Sequence, residues 1–204
     1  MELAAVDLPS LDVLRGRWAA VAAVTTALGF PDVARADGAS SWHWDDGGGN
    51  RARMTVLDPA RALLHGWDRA GRSALTRAAD GEPGGELVAD APAWWLSPLR
   101  ATTEQVSFVL GWDGAGWWRS AGVLPGGGLA GLPVDAEELY GVVDSYVEGV
   151  ADDQGLGDWR TPWPSVAALG AAGPGMTVEQ LADVLGPLRA DLPAGVVAAG
   201  RFAA

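Results

Sequence analysis

Near the start of the chain Leu11, Leu14, Trp18, Val21, Thr25 and Leu28 recur at spacings of three and four. That rhythm matches the turn of an α-helix and predicts one over 10–29 with a face turned to a core. Ser10, behind Pro9, can cap its first turn, and Gly29 and Pro31 mark its end. From Ser40 the period shortens to two. In Arg51–Leu57, Ala52, Met54 and Val56 alternate with Arg51, Arg53 and Thr55, the pattern of a half-buried strand, and Trp42 and Trp44 flank His43 in the same way.

Between these two segments lies "DDGGGN", whose residues tolerate positive φ, so a hairpin loop is expected there. It lacks the D-x-D-x-D-G and distal Glu of a calcium loop, and no Gly-Lys-Ser/Thr follows as a phosphate loop requires. Further on, "LLHGWDRAGRSAL" from Leu63 and "FVLGWDGAGWWRSAG" from Phe108 share G-W-D-x-A-G. Each predicts strand, tight turn, strand, and together they predict one meander with reversals near Gly47–Gly49, Asp68–Gly71 and Asp113–Gly116. On strands, the neighbours Trp94 and Trp95, or Trp117 and Trp118, point to opposite faces, so one of each pair is covered by another element or open to a partner.

Ala121–Pro133 is rich in Gly and Pro and closes this region. A helix is expected from about Asp135, with Leu139, Val143, Tyr146, Val147 and Val150 on one face and Glu138, Asp144, Glu148 and Asp152 turned elsewhere. Ser165 can start a short helix, and Thr177 with Gln180 forms the capping-box pattern of another. The final "LPAGVVAAGRFAA" suits strand or helix. The expected fold class is therefore α+β: an antiparallel β-meander with an N-terminal helix and C-terminal helices packed against it. One domain is expected over 1–204, comprising the helix at 10–29, a sheet region at 40–123 and a helical region at 134–204.

Composition narrows the chemistry. The 204 residues include no Cys, which excludes disulfides, thiolate zinc sites and cysteine nucleophiles, and no Lys, which excludes Schiff-base chemistry. The net charge of −12 argues against nucleic acid or an anionic membrane as partner and favours a basic one. Between Arg119 and Arg160 there are eight acidic residues and no basic one, whereas Arg51–Arg77 holds six Arg against two Asp. The uncharged run Trp18–Phe30, followed by "ARA" at Ala34–Ala36, has some marks of a leader. Glu2, Asp7 and Asp12 are wrong for one, and the run falls short of the ~20 residues that span a bilayer, so a core helix and a cytoplasmic location are expected.

His43 and His65 are the only histidines, each near aspartates, but their spacing lacks the short pairing of a metal motif. No G-x-S-x-G elbow is present, and adjacent carboxylates such as Glu137 with Glu138 diverge on a helix. No catalytic residue, metal or cofactor is assigned. Eleven Trp serve cores, sugar-stacking platforms and interfaces alike. Two candidate sites follow. Asp144, Glu148 and Asp152, four residues apart with no basic residue within a turn, form with Trp117 and Trp118 a candidate surface for a protein partner. Trp42, His43, Trp44, Asp45, His65 and Trp67 form an alternative site for a small molecule or carbohydrate, or, less favoured, a His/Asp-dependent hydrolase centre.

The pattern W-x-W-D-x-G-G-G-N at Trp42–Asn50, an alternating strand, and a strand ending in "LLHGWDRAG" resemble a class of uncharacterised actinobacterial proteins. Some of these are similar to immunity proteins of polymorphic toxin systems such as the SUKH superfamily. The resemblance covers about Ser40 to Gly122. The superfamily's Gly-rich motifs do not recur here in matching order, so no residue role carries over. The resemblance implies a small cytoplasmic α+β protein that binds and neutralises a toxin, a role that needs surface complementarity and no catalytic group.

Overall fold

The computed structural model describes residues 3–70, 75–77, 81–121, 129 and 131–203. In chain order the elements are β1 (Leu3–Val6), α1 (Leu11–Ala27), β2 (Ala34–Ala36), β3 (Ser41–Asp45), β4 (Arg51–Asp58), β5 (Arg61–Trp67), β6 (Thr76–Arg77) and β7 (Pro83–Gly84). They continue with α2 (Ala93–Ala101), β8 (Phe108–Trp112), β9 (Trp117–Ser120), α3 (Ala136–Asp153), α4 (Trp163–Ala172), α5 (Val178–Leu185) and α6 (Leu192–Gly200). The fold is α+β, and its ladders are antiparallel. None of the described helices is long and apolar enough to cross a membrane. The chain divides into two compact units, Met1–Leu8 with Asp45–Ala130 and Pro9–Trp44 with Gly131–Ala204.

In the first unit five strands run in the order β1-β9-β8-β5-β4. Tight turns join β4 to β5 and β8 to β9. At the first, Asp58 accepts from the Ala60 N–H at 2.9 Å and from Arg61 Nε at 2.7 Å. At the second, Asp113 accepts from the Ala115 and Gly116 N–H groups at 2.9 and 3.0 Å, which is how a short acceptor side chain fixes a reversal. The two G-W-D copies differ here from the expected pair of hairpins. The second makes the β8–β9 hairpin, but β5 pairs with β4 and β8, and among the described residues the chain just beyond Trp67 does not return along it. Asp68 does turn the chain, accepting from the Ala70 N–H at 2.7 Å, while Gly71 lies outside the described residues.

Between β5 and β8 come the small β6–β7 ladder, a 3₁₀ turn at Glu86–Val88, and α2, so the meander is interrupted. Trp94 and Trp95 are thus helical, where strands were expected. Aromatic residues favour strands, but Pro92 stands at the N-cap and the three-four spacing of Trp95 and Leu99 places both on the buried side of α2. They join Leu63, Leu87, Val88, Val106 and Val109 in one apolar cluster. The N-terminal strand β1, edged against β9 with Leu3 opposite Ser120, has no signal strong enough in four residues to be read in advance.

The second unit is built around α1. One buried stripe was expected, yet Ala19, Ala20, Val21, Ala22, Ala23 and Val24 are all 0% exposed, so the helix is buried all round from Trp18 to Thr25, while Asp12 and Val13 in its first turn are exposed. Small residues let neighbouring backbones close in. A Cβ on Gly16 would fall 2.4 Å from the Gly170 carbonyl of α4, and one on Gly195 of α6 would fall 2.5 Å from the Ala23 carbonyl. Trp18 packs on Trp42 and Trp44, with ring centroids 6.0 and 6.4 Å away. The "ARA" segment is β2, with Ala34 and Ala36 buried and Arg35 exposed, paired to β3. C-terminal helices are present where they were expected, and the open tail adds one more. Thr177 and Gln180 complete a capping box on α5, Asp135 caps α3, α4 begins at Trp163 rather than Ser165, and the ambiguous tail is the helix α6, capped by Asp191.

Candidate partner-binding site

α3 buries Leu139, Val143, Val147 and Ala151, and this orientation decides where its acids point. Glu148 and Asp152 are exposed and Asp144 is half-buried. The stripe has a basic neighbour that spacing could not reveal. Arg160, in the connection to α4, places its guanidinium 3.1 Å from Glu148 Oε1, and also donates to the Gly157 and Trp159 carbonyls at 2.7 and 2.8 Å. Asp152 lies against the backbone at Gly157, where an added Cβ would meet its Oδ1 at 2.7 Å.

One turn N-terminal to Asp144, Tyr140 extends over the same connection. Its hydroxyl donates to the Thr161 carbonyl at 3.1 Å, and its ring lies 4.9 Å from that of Trp163. Burial raises the Tyr140 pKa, and the charge of Asp144 raises it further, while Arg160 opposes both. Asp144 shares a side-chain hydrogen bond with Tyr140, and its Oδ1 is enclosed. Trp163 is 44% exposed and is the one tryptophan of the eleven that stands open to solvent. Its signal in the sequence is "TPWPS": prolines on both sides hold an indole at the first turn of a helix, where the chain emerges from a loop.

Trp117 and Trp118, the aromatic members expected beside the acids, belong to β9 in the first unit. Trp117 is 1% exposed and packs 5.6 Å from Trp112, and Trp118 is half-buried against the cluster around Trp95. The acids Asp144, Glu148 and Asp152 lie in the second unit.

The alternative set is divided between the two units: Trp42, His43 and Trp44 belong to the second, and Asp45, His65 and Trp67 to the first. Trp42 and Trp44 are 0% and 3% exposed, committed to packing against Trp18, and the Trp42 indole N–H donates to the Ala39 carbonyl at 3.0 Å. His43 faces the other way on β3. Its Nε2 is 2.8 Å from Asp37 Oδ2 and 3.4 Å from Ser41 Oγ. Asp45 serves the loop, accepting from the Gly47 N–H at 2.9 Å and lying 3.5 Å from Arg51 Nε. Asp46, which the candidate set did not include, organises the rest of "DDGGGN": its carboxylate accepts from the N–H groups of Gly48 and Asn50 and from Asn50 Nδ2. Arg69 then ties the loop down through the Asn50 amide oxygen and the Gly48 carbonyl. His65 is buried on β5 opposite Arg53 and Val109, and Trp67 is half-buried at the end of that strand opposite Arg51. His43 and His65 belong to different units, and among the described residues no group of three or more His, Cys, Asp or Glu is placed to hold a metal ion.

One carboxylate of α3, outside the candidate set, is electrostatically unusual. Glu138, in the first turn, has its pKa raised chiefly by burial and then by Asp135, with Arg17 pulling it back. Arg17 comes from α1 and donates to the Val134 carbonyl. The group is a structural join between α1 and the start of α3, and it lies on the side of α3 toward α1.

No family model matches the chain, no curated protein is similar to it, and no solved structure resembles it.

Proposed function

We propose that the chain is a cytoplasmic protein-binding module of immunity type that neutralises a basic partner, such as a toxin domain, through the acidic outer side of α3. The observation that carries this reading is the charge distribution. Eight acids and no base lie between Arg119 and Arg160, and the helix holding most of them turns its apolar face inward and leaves Glu148 and Asp152 outside. Like charges four apart destabilise a helix by about 0.2–0.5 kcal/mol per pair, a cost that a cationic partner relieves. Such a surface acts mainly on encounter, because opposite charges steer approach before close contact forms. The resemblance of Ser40–Gly122 to immunity-type proteins agrees with this class of activity, which needs surface complementarity and no reacting group.

The test has two stages. Affinity capture from the native cell with mass spectrometry identifies the partner, and stopped-flow mixing then measures its association. Reversal of Asp144, Glu148 and Asp152 to Arg is expected to slow association far more than it changes dissociation, and the wild-type on-rate is expected to fall as salt rises. An on-rate indifferent to both salt and reversal rejects the acidic side of α3 as the docking surface.

A further inference from the structure

We infer that Tyr140, Asp144, Glu148, Arg160 and Trp163 form a socket for an arginine side chain of a basic partner, in which Arg160 holds the position until the partner's guanidinium replaces it. This rests on the reading of the acidic side as a docking surface and names the point of capture within it. The socket has three parts from one compact unit. The first is an aromatic wall: Trp163, 44% exposed, braced by Tyr140 at 4.9 Å, with the Tyr140 hydroxyl tied to the Thr161 carbonyl. An indole face attracts a guanidinium through its quadrupole, and the planar cation also stacks on it.

The second part is the acid. Asp144 and Glu148 are one turn apart on α3, Glu148 exposed to an incoming cation and Asp144, hydrogen-bonded to Tyr140, adding its charge. The third is the resident cation. Arg160 pairs with Glu148 at 3.1 Å with both side chains about half exposed, and an ion pair so placed is held weakly and exchanges readily. Arg160 has two backbone carbonyls, those of Gly157 and Trp159, to retain it when Glu148 is taken over. The charge of the surroundings selects a basic occupant, since Arg160 is the first base after eight successive acids.

Calorimetric titration with an oligo-arginine peptide, and with oligo-glutamate as control, tests the socket at low and physiological salt. The wild-type chain is expected to bind oligo-arginine alone, more weakly as salt rises. Trp163→Ala is expected to loosen binding about two- to fivefold, the reach of an exposed cation–π contact. Arg160→Gln is expected to tighten it by up to about fivefold by freeing Glu148, a gain that misfolding cannot mimic. Arg201→Gln, on the end of α6, makes the same charge change away from the socket and is expected to do much less. If wild type binds while Arg160→Gln matches Arg201→Gln, or Trp163→Ala binds as wild type does, the socket is overturned and the acidic docking surface stands. If wild type fails to bind oligo-arginine even at low salt, both fall.

Discussion

At the scale of single residues, the glycines of the repeated G-W-D tripeptide are positions where an aromatic ring lies against the backbone. A Cβ on Gly66 would fall 2.8 Å from the Phe108 ring, and one on Gly111 would fall 2.2 Å from the Trp95 indole nitrogen. The repeat therefore reflects ring-over-glycine packing, which both copies share, as well as turn chemistry, and only the second copy makes a hairpin. Trp95 is buried and rigid, so it cannot yield cheaply. Gly111→Ala is expected to destabilise the protein by about 1–3 kcal/mol, the usual cost of overpacking. Gly141, exposed on α3 with nothing near its missing Cβ, gives the opposite sign. There Gly→Ala is expected to add about 0.4–1 kcal/mol by restricting the unfolded chain. Urea unfolding of both variants checks the pair, and equal signs contradict the packing account.

At the scale of elements, what periodicity and capping specify locally was legible and what tertiary partners specify was not. The span of α1, the β4 alternation, the "DDGGGN" reversal and the α5 cap follow from neighbours in sequence. The all-round burial of the middle of α1 depends on helices more than a hundred residues later, and the helical state of Trp94–Trp95 required reading Pro92 as a helix-start signal against the strand preference of tryptophan and against Pro98 inside the helix. The acids of the candidate site could be read as a stripe, but Arg160 and Trp163 could not, because a loop returns them to α3. Among the legible elements, α5 offers a direct test. The Thr177 N–H donates to Gln180 Oε1 at 2.9 Å and the Gln180 N–H to Thr177 Oγ1 at 3.3 Å. Thr177→Ala is expected to cost about 0.5–2 kcal/mol, and Thr177→Ser to restore most of it. A Thr177→Ala melting curve identical to that of wild type argues that α5 is held by packing alone.

At the scale of the molecule, the 26 acidic residues against 14 Arg make stability depend on pH, and different carboxylates pull in opposite directions. Asp113, held by two turn N–H groups, has its pKa lowered, so its contribution is present above the ordinary carboxylate range and is lost on acidification. Glu138 has the opposite sign. With its pKa raised by burial, the native state binds more protons than the unfolded one, and stability from this group falls as pH rises through its ordinary value of 4.5 and up to the elevated native value. Glu138→Gln is expected to lose this component, so that the wild-type minus variant difference in unfolding free energy declines from pH 4.5 toward neutrality. A difference that is flat, or that grows with pH, contradicts the assignment. The pairing of early and late segments in each unit also has a consequence for synthesis. The chain passes from one unit to the other after Leu8, Trp44 and Ala130, so the apolar α1 leaves the ribosome long before α3, α4 and α6, which enclose it, have been made. While Asp45–Ala130 is being translated, a helix whose middle is buried all round in the finished protein has none of these three covers, and the nascent chain is expected to need rapid elongation or a holding chaperone to pass that interval unaggregated.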